Sequence, residues 1–382
     1  MDHIDGERVV LILDERNRRV VLWTKGADEG VLLADLGFLS SAFTLDADGG
    51  LLVASDDSVM RWGPGESDGV VIAGGNGLGN APDQLCMPAA ILRDHDKSLL
   101  ILNGGPDSDS IVRWAPGATV GEVVAGGNGR AGSFYDGIFG LNQLHAATSM
   151  ALDPDGSIVV ADANAARVVK WSPGADEAVI IAPAAANVNK STLSGIRGTS
   201  LDKLGRPEAV TFDDNQSLII VDEQNHRVLR WAVGDSAGVV VAGGNGRGSL
   251  LSQMAFPSHA AVDKDGSIVV ADTLNDRVVR WVPGASEGVL VAGGNNQGSE
   301  LNQLERGSNK VVLGIWKAWN QNTHGLFPPE SQHLVRFLLL CFCRATRGGF
   351  ANLSIVLCKK VLPFVVPARL APSWQAGIDV PS

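Results

Sequence analysis

The sequence predicts an all-β chain folded as a six-bladed β-propeller, and three observations carry that expectation. A tryptophan-marked unit recurs six times, with Trp23, Trp62, Trp114, Trp171, Trp231 and Trp281 spaced by 39, 52, 57, 60 and 50 residues. Each unit holds signals for four short strands separated by turn residues, and four-stranded units repeated at this period are the mark of propellers. Glycine supplies 46 of 382 residues while proline supplies only 17, a composition suited to many short strands joined by tight turns.

The units align element by element. DPDGSIVVADANAARVVKWSPGADEAVIIA (153–182), DDNQSLIIVDEQNHRVLRWAVGDSAGVVVAGG (213–244) and DKDGSIVVADTLNDRVVRWVPGASEGVLVAGG (263–294) match without gaps. Weaker copies span 46–75 and 94–127, and a copy lacking its first strand spans 7–34. The first strand follows proline in PAAILRD (88–94), PEAVTFD (207–213) and PSHAAVD (257–263). SIVVAD, RVVRW and GVLVAGG give the second, third and fourth, all rich in the β-branched residues that strands favour. D-x-D-G joins the first two strands, its glycine free to adopt positive φ, and W-x-P-G joins the last two, its proline presetting φ. Both faces of each small sheet are apolar, so each must pack between two neighbours, as radially stacked blades do.

The pattern P-x-x-A-V-D-x-D-G-S-I-V-V-A-D-x-x-N-x-R-V-V-R-W resembles the NHL repeat family. The resemblance runs through Leu304, strongest around Trp231 and Trp281, good around Trp171, and eroded around Trp62 and Trp114. It implies a six-bladed propeller with the proline-led strand innermost. It does not fix one function, because NHL propellers serve as protein-binding, RNA-binding and occasionally catalytic modules.

Residues 1–304 are therefore assigned to the propeller. Its first blade lacks an inner strand, and NKVVLGIW (309–316), within 305–316, is the only nearby strand-like run to close the ring; the alternative is a ring left open. Residues 317–382 carry no repeat. From 305 onward there are nine Lys/Arg and three Asp/Glu, so the remainder holds 22 basic and 39 acidic residues, a balance of −17. Three of four cysteines also lie in the tail, at 341, 343 and 358, with Cys86 the fourth. The tail reads as an irregular cap, an amphipathic surface-binding segment, or sequence unrelated to the repeat array; the abrupt change of composition favours the last.

Composition excludes several classes. The Gly content has no three-residue period, so the chain is not collagen-like. No run of 18 apolar residues is present, so no spanning helix is expected. The polar start MDHIDGERVV does not read as a signal peptide, and the cysteine pattern does not read as a disulfide framework; a reducing, cytoplasmic setting is the expectation. The acidic balance opposes a phosphate backbone.

In a four-stranded meander, the turns between second and third strands share one face, here called upper, with the connectors between blades. That face collects Asp14, Asn17 and Arg19; Asp222, Asn225 and Arg227; Asp272, Asn275 and Arg277; and an imperfect set of Asp162 and Arg167 with Ala165 in place of Asn. Asp and Asn bond local backbone in such turns, and the spacing allows an Asp–Arg pair, so recurrence marks structure rather than catalysis. The GGNG segments at 74–77, 126–129 and 243–246, with GGNN at 293–296, look like phosphate loops but stand between strands, so they read as blade connectors. A basic residue precedes the marker tryptophan in five units (Arg61, Arg113, Lys170, Arg230 and Arg280), with Leu22 the exception. Their stems are expected to cover blade edges while their heads reach water or acidic neighbours.

His145 and His259 are the candidate metal ligands, near inner-strand mouths. Zinc needs three converging ligands, and Ala90, Ser149 and Ala209 occupy the positions equivalent to His259. No metal and no cofactor is therefore expected. The functional expectation is a monomeric, non-catalytic scaffold binding a protein or peptide through variable upper-face connectors. Phe134, Tyr135 and Phe139 in 128–146, and Lys190, Arg197 and Lys203 in 183–206, are the binding candidates, since aromatic and cationic anchors suit protein interfaces. The alternatives are a metal-dependent propeller lyase or lactonase and an RNA-binding NHL module.

Overall fold

The repeat units pair their strands locally. Each strand is four to eight residues long, apolar and β-branched, and each turn directs it back onto its predecessor. A computed structural model describes residues 7–24, 26–46, 48–63, 68–105, 108–127, 140–183, 197–295, 297–305 and 310–316. The strands in chain order are β1 (Glu7–Asp14), β2 (Arg19–Thr24) and β3 (Val31–Asp35); β4 (Ala42–Leu45), β5 (Leu51–Ala54), β6 (Ser58–Trp62) and β7 (Val70–Gly74); and β8 (Pro88–Arg93), β9 (Leu99–Gly105), β10 (Ser108–Trp114) and β11 (Glu122–Gly126). They continue with β12 (Ala147–Leu152), β13 (Ile158–Asp162), β14 (Arg167–Trp171) and β15 (Val179–Ala182); then β16 (Pro207–Phe212), β17 (Leu218–Asp222), β18 (Arg227–Trp231) and β19 (Val239–Gly243). The last are β20 (Pro257–Val262), β21 (Ile268–Asp272), β22 (Arg277–Trp281), β23 (Val289–Gly293) and β24 (Lys310–Trp316).

They form six four-stranded antiparallel sheets. Five are sequential meanders, and the first blade has the order β24-β1-β2-β3. Its inner strand comes from the far end of the chain, with Val10 opposite Leu313 and Leu13 opposite Lys310. The inner strands β24, β4, β8, β12, β16 and β20 each neighbour the next around a closed ring. The fold is a six-bladed β-propeller. None of the described residues forms a helix long and apolar enough to cross a membrane.

Six apolar clusters fill the six seams between blades, because alternate residues of every strand face opposite neighbours. In β1, Leu11 and Leu13 pack toward the second blade, while Val10 and Ile12 pack toward the sixth. Most marker tryptophans sit in these seams, where Trp23, Trp114, Trp171 and Trp231 donate Nε1–H to the carbonyl four residues on, at 2.7–3.1 Å. The fourth strand begins with a residue pressed against that indole. A Cβ on Gly121 would lie 2.3 Å from Val112 Cγ1 and 2.6 Å from the Trp114 ring, and Gly288 is equally confined by Val279 and Trp281.

Each long connector then turns into a seam and plugs it. Leu85, Leu144, Leu204, Met254 and Leu304 are all essentially buried there. Each such side chain contributes about 1.5–3 kcal/mol of burial. A second unit of the chain, 320–382 with 65–67, lies outside the described residues, as do the expectations for the tail.

Candidate protein-binding face

The upper-face Asp and Arg residues form one repeated device. Each Asp ends a second strand and each Arg begins the third, so the two pair across the turn. Arg227 Nε donates to Asp222 Oδ2 at 2.9 Å, and its Nη groups donate to the carbonyls of Thr199, Ser200 and Lys203 at 2.7–3.0 Å. Asn225 Nδ2 donates to Asp222 Oδ2 and to the Gly198 carbonyl. The other oxygen of Asp222 accepts the N–H groups of Gly205 and Arg206. Asp, Asn and Arg thus fasten the connector that leads into their own blade.

The sixth blade repeats this with Asp272, Asn275 and Arg277 gripping Ser249, Leu250 and Gln253. In the fourth, Asp162 and Arg167 grip Gly140 and Gln143 without an Asn. In the first, Arg19 pairs with Asp14 and reaches the carbonyls of Ser299, Glu300 and Gln303, while Asn17 takes that of Gly298. The N-terminal turn therefore holds a connector some 280 residues away, locking the ring at its closure.

The GGN segments are staples. Asn76, Asn245 and Asn295 donate to the carbonyls of Asp83, Ser252 and Asn302, while Gln84, Gln253 and Gln303 donate back to the Asn carbonyls. The glutamine that completes each staple was legible as Q-L or Q-M eight residues after the Asn, a regularity that sequence reasoning passed over.

On the lower face the basic residues before tryptophan pair with the D-x-D carboxylates of their own blade. Arg113 reaches Asp94 and Asp96, Lys170 reaches Asp153 and Asp155 at 2.6 and 2.8 Å, and Arg230 reaches Asp213 at 2.9 Å. Arg61 and Arg280 pair likewise. Leu22 stands alone because the first blade has no D-x-D-G turn: its inner strand β24 and its second strand β1 lie at opposite ends of the chain.

The residues between the shared Asp and Arg differ from blade to blade, and among the described residues a group of charged and aromatic side chains surrounds the turn Glu223–His226 of the fifth. Arg206 Nη1 lies 2.6 Å from carboxylate oxygens of both Glu208 and Glu223. Arg197 donates to Gln224 Oε1 at 3.1 Å and to the Asn164 carbonyl at 3.0 Å. On the other side, the rings of His226 and Phe256 meet edge to face at 4.7 Å, and the Arg247 guanidinium lies 5.2 Å above the Phe256 ring. Phe256 takes φ 52°, a conformation bulky residues rarely adopt, and its N–H donates to His226 Nδ1 at 3.2 Å. Burial, and then the charge of Arg247, pushes the His226 imidazole below its ordinary value, which keeps Nδ1 free to accept.

Of the residues expected to bind, Phe134, Tyr135, Phe139 and Lys190 lie outside the described residues. Arg197 and Lys203 lie on the connector into the fifth blade. The described parts of the two connectors expected to be variable, 140–146 and 197–206, are copies of the seam-plugging device: Leu144 and Leu204 fill their seams, and the Lys203 backbone is held by Arg227. Arg206, His226, Arg247 and Phe256 were missed, because no motif marks residues that meet only through the ring. His145 donates its N–H to Asp162 Oδ1 at 2.7 Å, and His259 sits opposite Ala271. Among the described residues no three His, Cys, Asp or Glu side chains gather as a metal site.

No family model and no curated protein sequence matches the chain. Its likeness is to solved structures. One, from a nidogen/laminin complex, has 13% identity, covers 81% of this chain and 100% of its own, and superposes with a TM-score of 0.57. A protein of unknown function from Bacteroides caccae has 12% identity, covers 80% of this chain and 99% of its own, with a TM-score of 0.50. Virginiamycin B lyase from Staphylococcus aureus follows at 10% identity, 72% and 71% coverage and a TM-score of 0.41. The likeness to the first two is one of fold.

Proposed function

We propose that this chain is a non-catalytic, NHL-type propeller whose upper face binds a protein or peptide. The observation behind this reading is the inequality of the two faces. Below, five blades repeat one turn and neutralise one cation each with their own carboxylates. Above, four blades share the Asp–Arg clamp but differ in the residues between, and among the described residues Arg and aromatic side chains gather around the turn of the fifth blade, the residue types that protein interfaces favour. The nidogen/laminin neighbour is a propeller fold found in a protein–protein complex, which accords with such a role.

A photo-crosslinking residue placed singly at Gln224 above, or at Asp155 or Asp214 below, tests the assignment. Partner adducts are expected from Gln224 and not from the lower turns. Adducts confined to Asp155 or Asp214 would place binding on the wrong face, and turnover of a lactone or ester by the purified chain would overturn the non-catalytic reading.

A further inference from the structure

We infer that the turn Glu223–His226, with residues 197–206 and 244–256 on either side of it, docks an acidic peptide segment of a partner protein. The inference rests on the upper-face reading and adds the chemistry of what binds there.

The geometry makes one continuous patch. Glu223 and Gln224 contact Arg206 and Arg197 of the connector entering the fifth blade. His226 contacts Phe256 of the connector entering the sixth, and Phe256 carries Arg247. Arg197 and Arg247 are exposed, and among the described residues no carboxylate lies within ion-pair distance of either. The cations before the marker tryptophans are, by contrast, already paired below. The corresponding upper segments of the second and third blades, 55–57 and 75–87, hold Asp56, Asp57 and Asp83 and no Lys or Arg. Within the patch Arg206 is balanced by Glu208 and Glu223, so Arg197 and Arg247 are its cations left without a carboxylate partner among the described residues.

Both arginines are held before anything binds. Arg197 is tied to Gln224 and Asn164, and Arg247 is stacked on a ring, so less side-chain freedom is lost when a carboxylate arrives. A guanidinium stacked this way keeps its in-plane N–H groups free for a bidentate carboxylate. A short acidic segment needs only these local cations. A nucleic acid would lay a long run of phosphates across a surface whose balance is −17 through Leu304.

The test is a fluorescence-anisotropy titration of the full chain with a labelled peptide of alternating Asp and Leu. Its Lys–Leu counterpart and a single-stranded RNA of equal charge serve as comparators. Binding of the Asp–Leu peptide alone is expected, weakening at least tenfold in Arg197→Glu or Arg247→Glu, with unfolding midpoints unchanged. Arg16→Glu, on the upper turn of the first blade, should change affinity less than twofold. Equal binding by the RNA, or peptide affinity indifferent to both charge reversals, would overturn the inference. Should the peptide fail while partner adducts still form from Gln224, the upper-face reading stands and the acidic chemistry is wrong.

Discussion

Four blades of this ring are clamped and two are not. In the first, fourth, fifth and sixth, a buried Asp–Arg pair grips the incoming connector. In the second blade, Ser55 and Ser58 replace the pair and bond each other at 2.6 Å. In the third, Asn103 and Ser110 stand there, and Asn103 still accepts the N–H of Cys86 at 2.6 Å as Asp accepts it elsewhere. Acid and base have been replaced together in both cases. A buried carboxylate without its guanidinium, or the reverse, is far more costly than losing both. For the second blade the reason is visible, since the connector reaching it, 36–41, is too short to offer the carbonyls that Arg grips. The difference teaches that the clamp is a unit: the blades carrying it lock their incoming connectors, the third relies on seam packing and the Asn76–Gln84 staple, and the second, reached by the short connector 36–41, relies on seam packing.

Breaking the clamp should give the largest effect. Arg227→Ala leaves Asp222 buried without its counter-charge, and should cost about 3–5 kcal/mol in urea unfolding. Ser58→Ala in an unclamped blade should cost about 1 kcal/mol or less. Equal losses would show that the two kinds of blade do not differ.

A second pair of variants sets a control that the comparison should not touch. Gly121→Ala and Gly288→Ala press a methyl into the Val–Trp wall of an unclamped and a clamped blade respectively. Both should destabilise, by about 1–3 kcal/mol each, measured in the same way. A neutral result at either site would mean the indole can retreat.

Transplanting the clamp sharpens the contrast. Asn103→Asp and Ser110→Arg should each destabilise alone, while the double variant recovers a coupling of about 1–2 kcal/mol in a double-mutant cycle. Additive losses would mean the third-blade connector cannot be gripped.

The smallest effect separates two acids of one blade by pH. Burial raises the Asp162 carboxyl above its ordinary value, whereas Lys170 and the Ser157 backbone and hydroxyl hold exposed Asp155 at about 2. The signs oppose. Asp155, depressed, contributes stability above its unfolded value that is lost as pH falls from about 4 toward 2. Asp162, raised, binds its proton more tightly when folded, so its contribution declines as pH rises from about 4 through its elevated value. A carboxyl NMR titration should show Asp162 protonating first on acidification; the reverse order would remove burial as the governing cause.

The blade repeat was legible because its signals are local. β-branched runs, D-x-D-G, W-x-P-G and the Trp markers each specify a strand or turn within a few residues, and six copies specify the fold class. The Asp–Asn–Arg turns were legible as structural because they recur at one topological position. What the Arg grips was not, since its partners are backbone carbonyls of a connector 24–28 residues earlier in the fourth, fifth and sixth blades, and about 280 residues later for Arg19. Backbone carbonyls leave no sequence signature.

The sequence by itself determined the blade, its four strands, its buried faces and the acidic balance of the ring, all consequences of local propensity and periodicity. The strand that completes the first blade was legible as 309–316, but that the ring closes through it, and which side chains meet above the fifth blade, were settled by the tertiary structure. Those depend on distant segments being brought together as six sheets bury both their faces. Arg247, Phe256, His226 and Arg206 come from the fifth blade's turn and the two connectors beside it, and they become neighbours only when the fifth and sixth blades close their common seam.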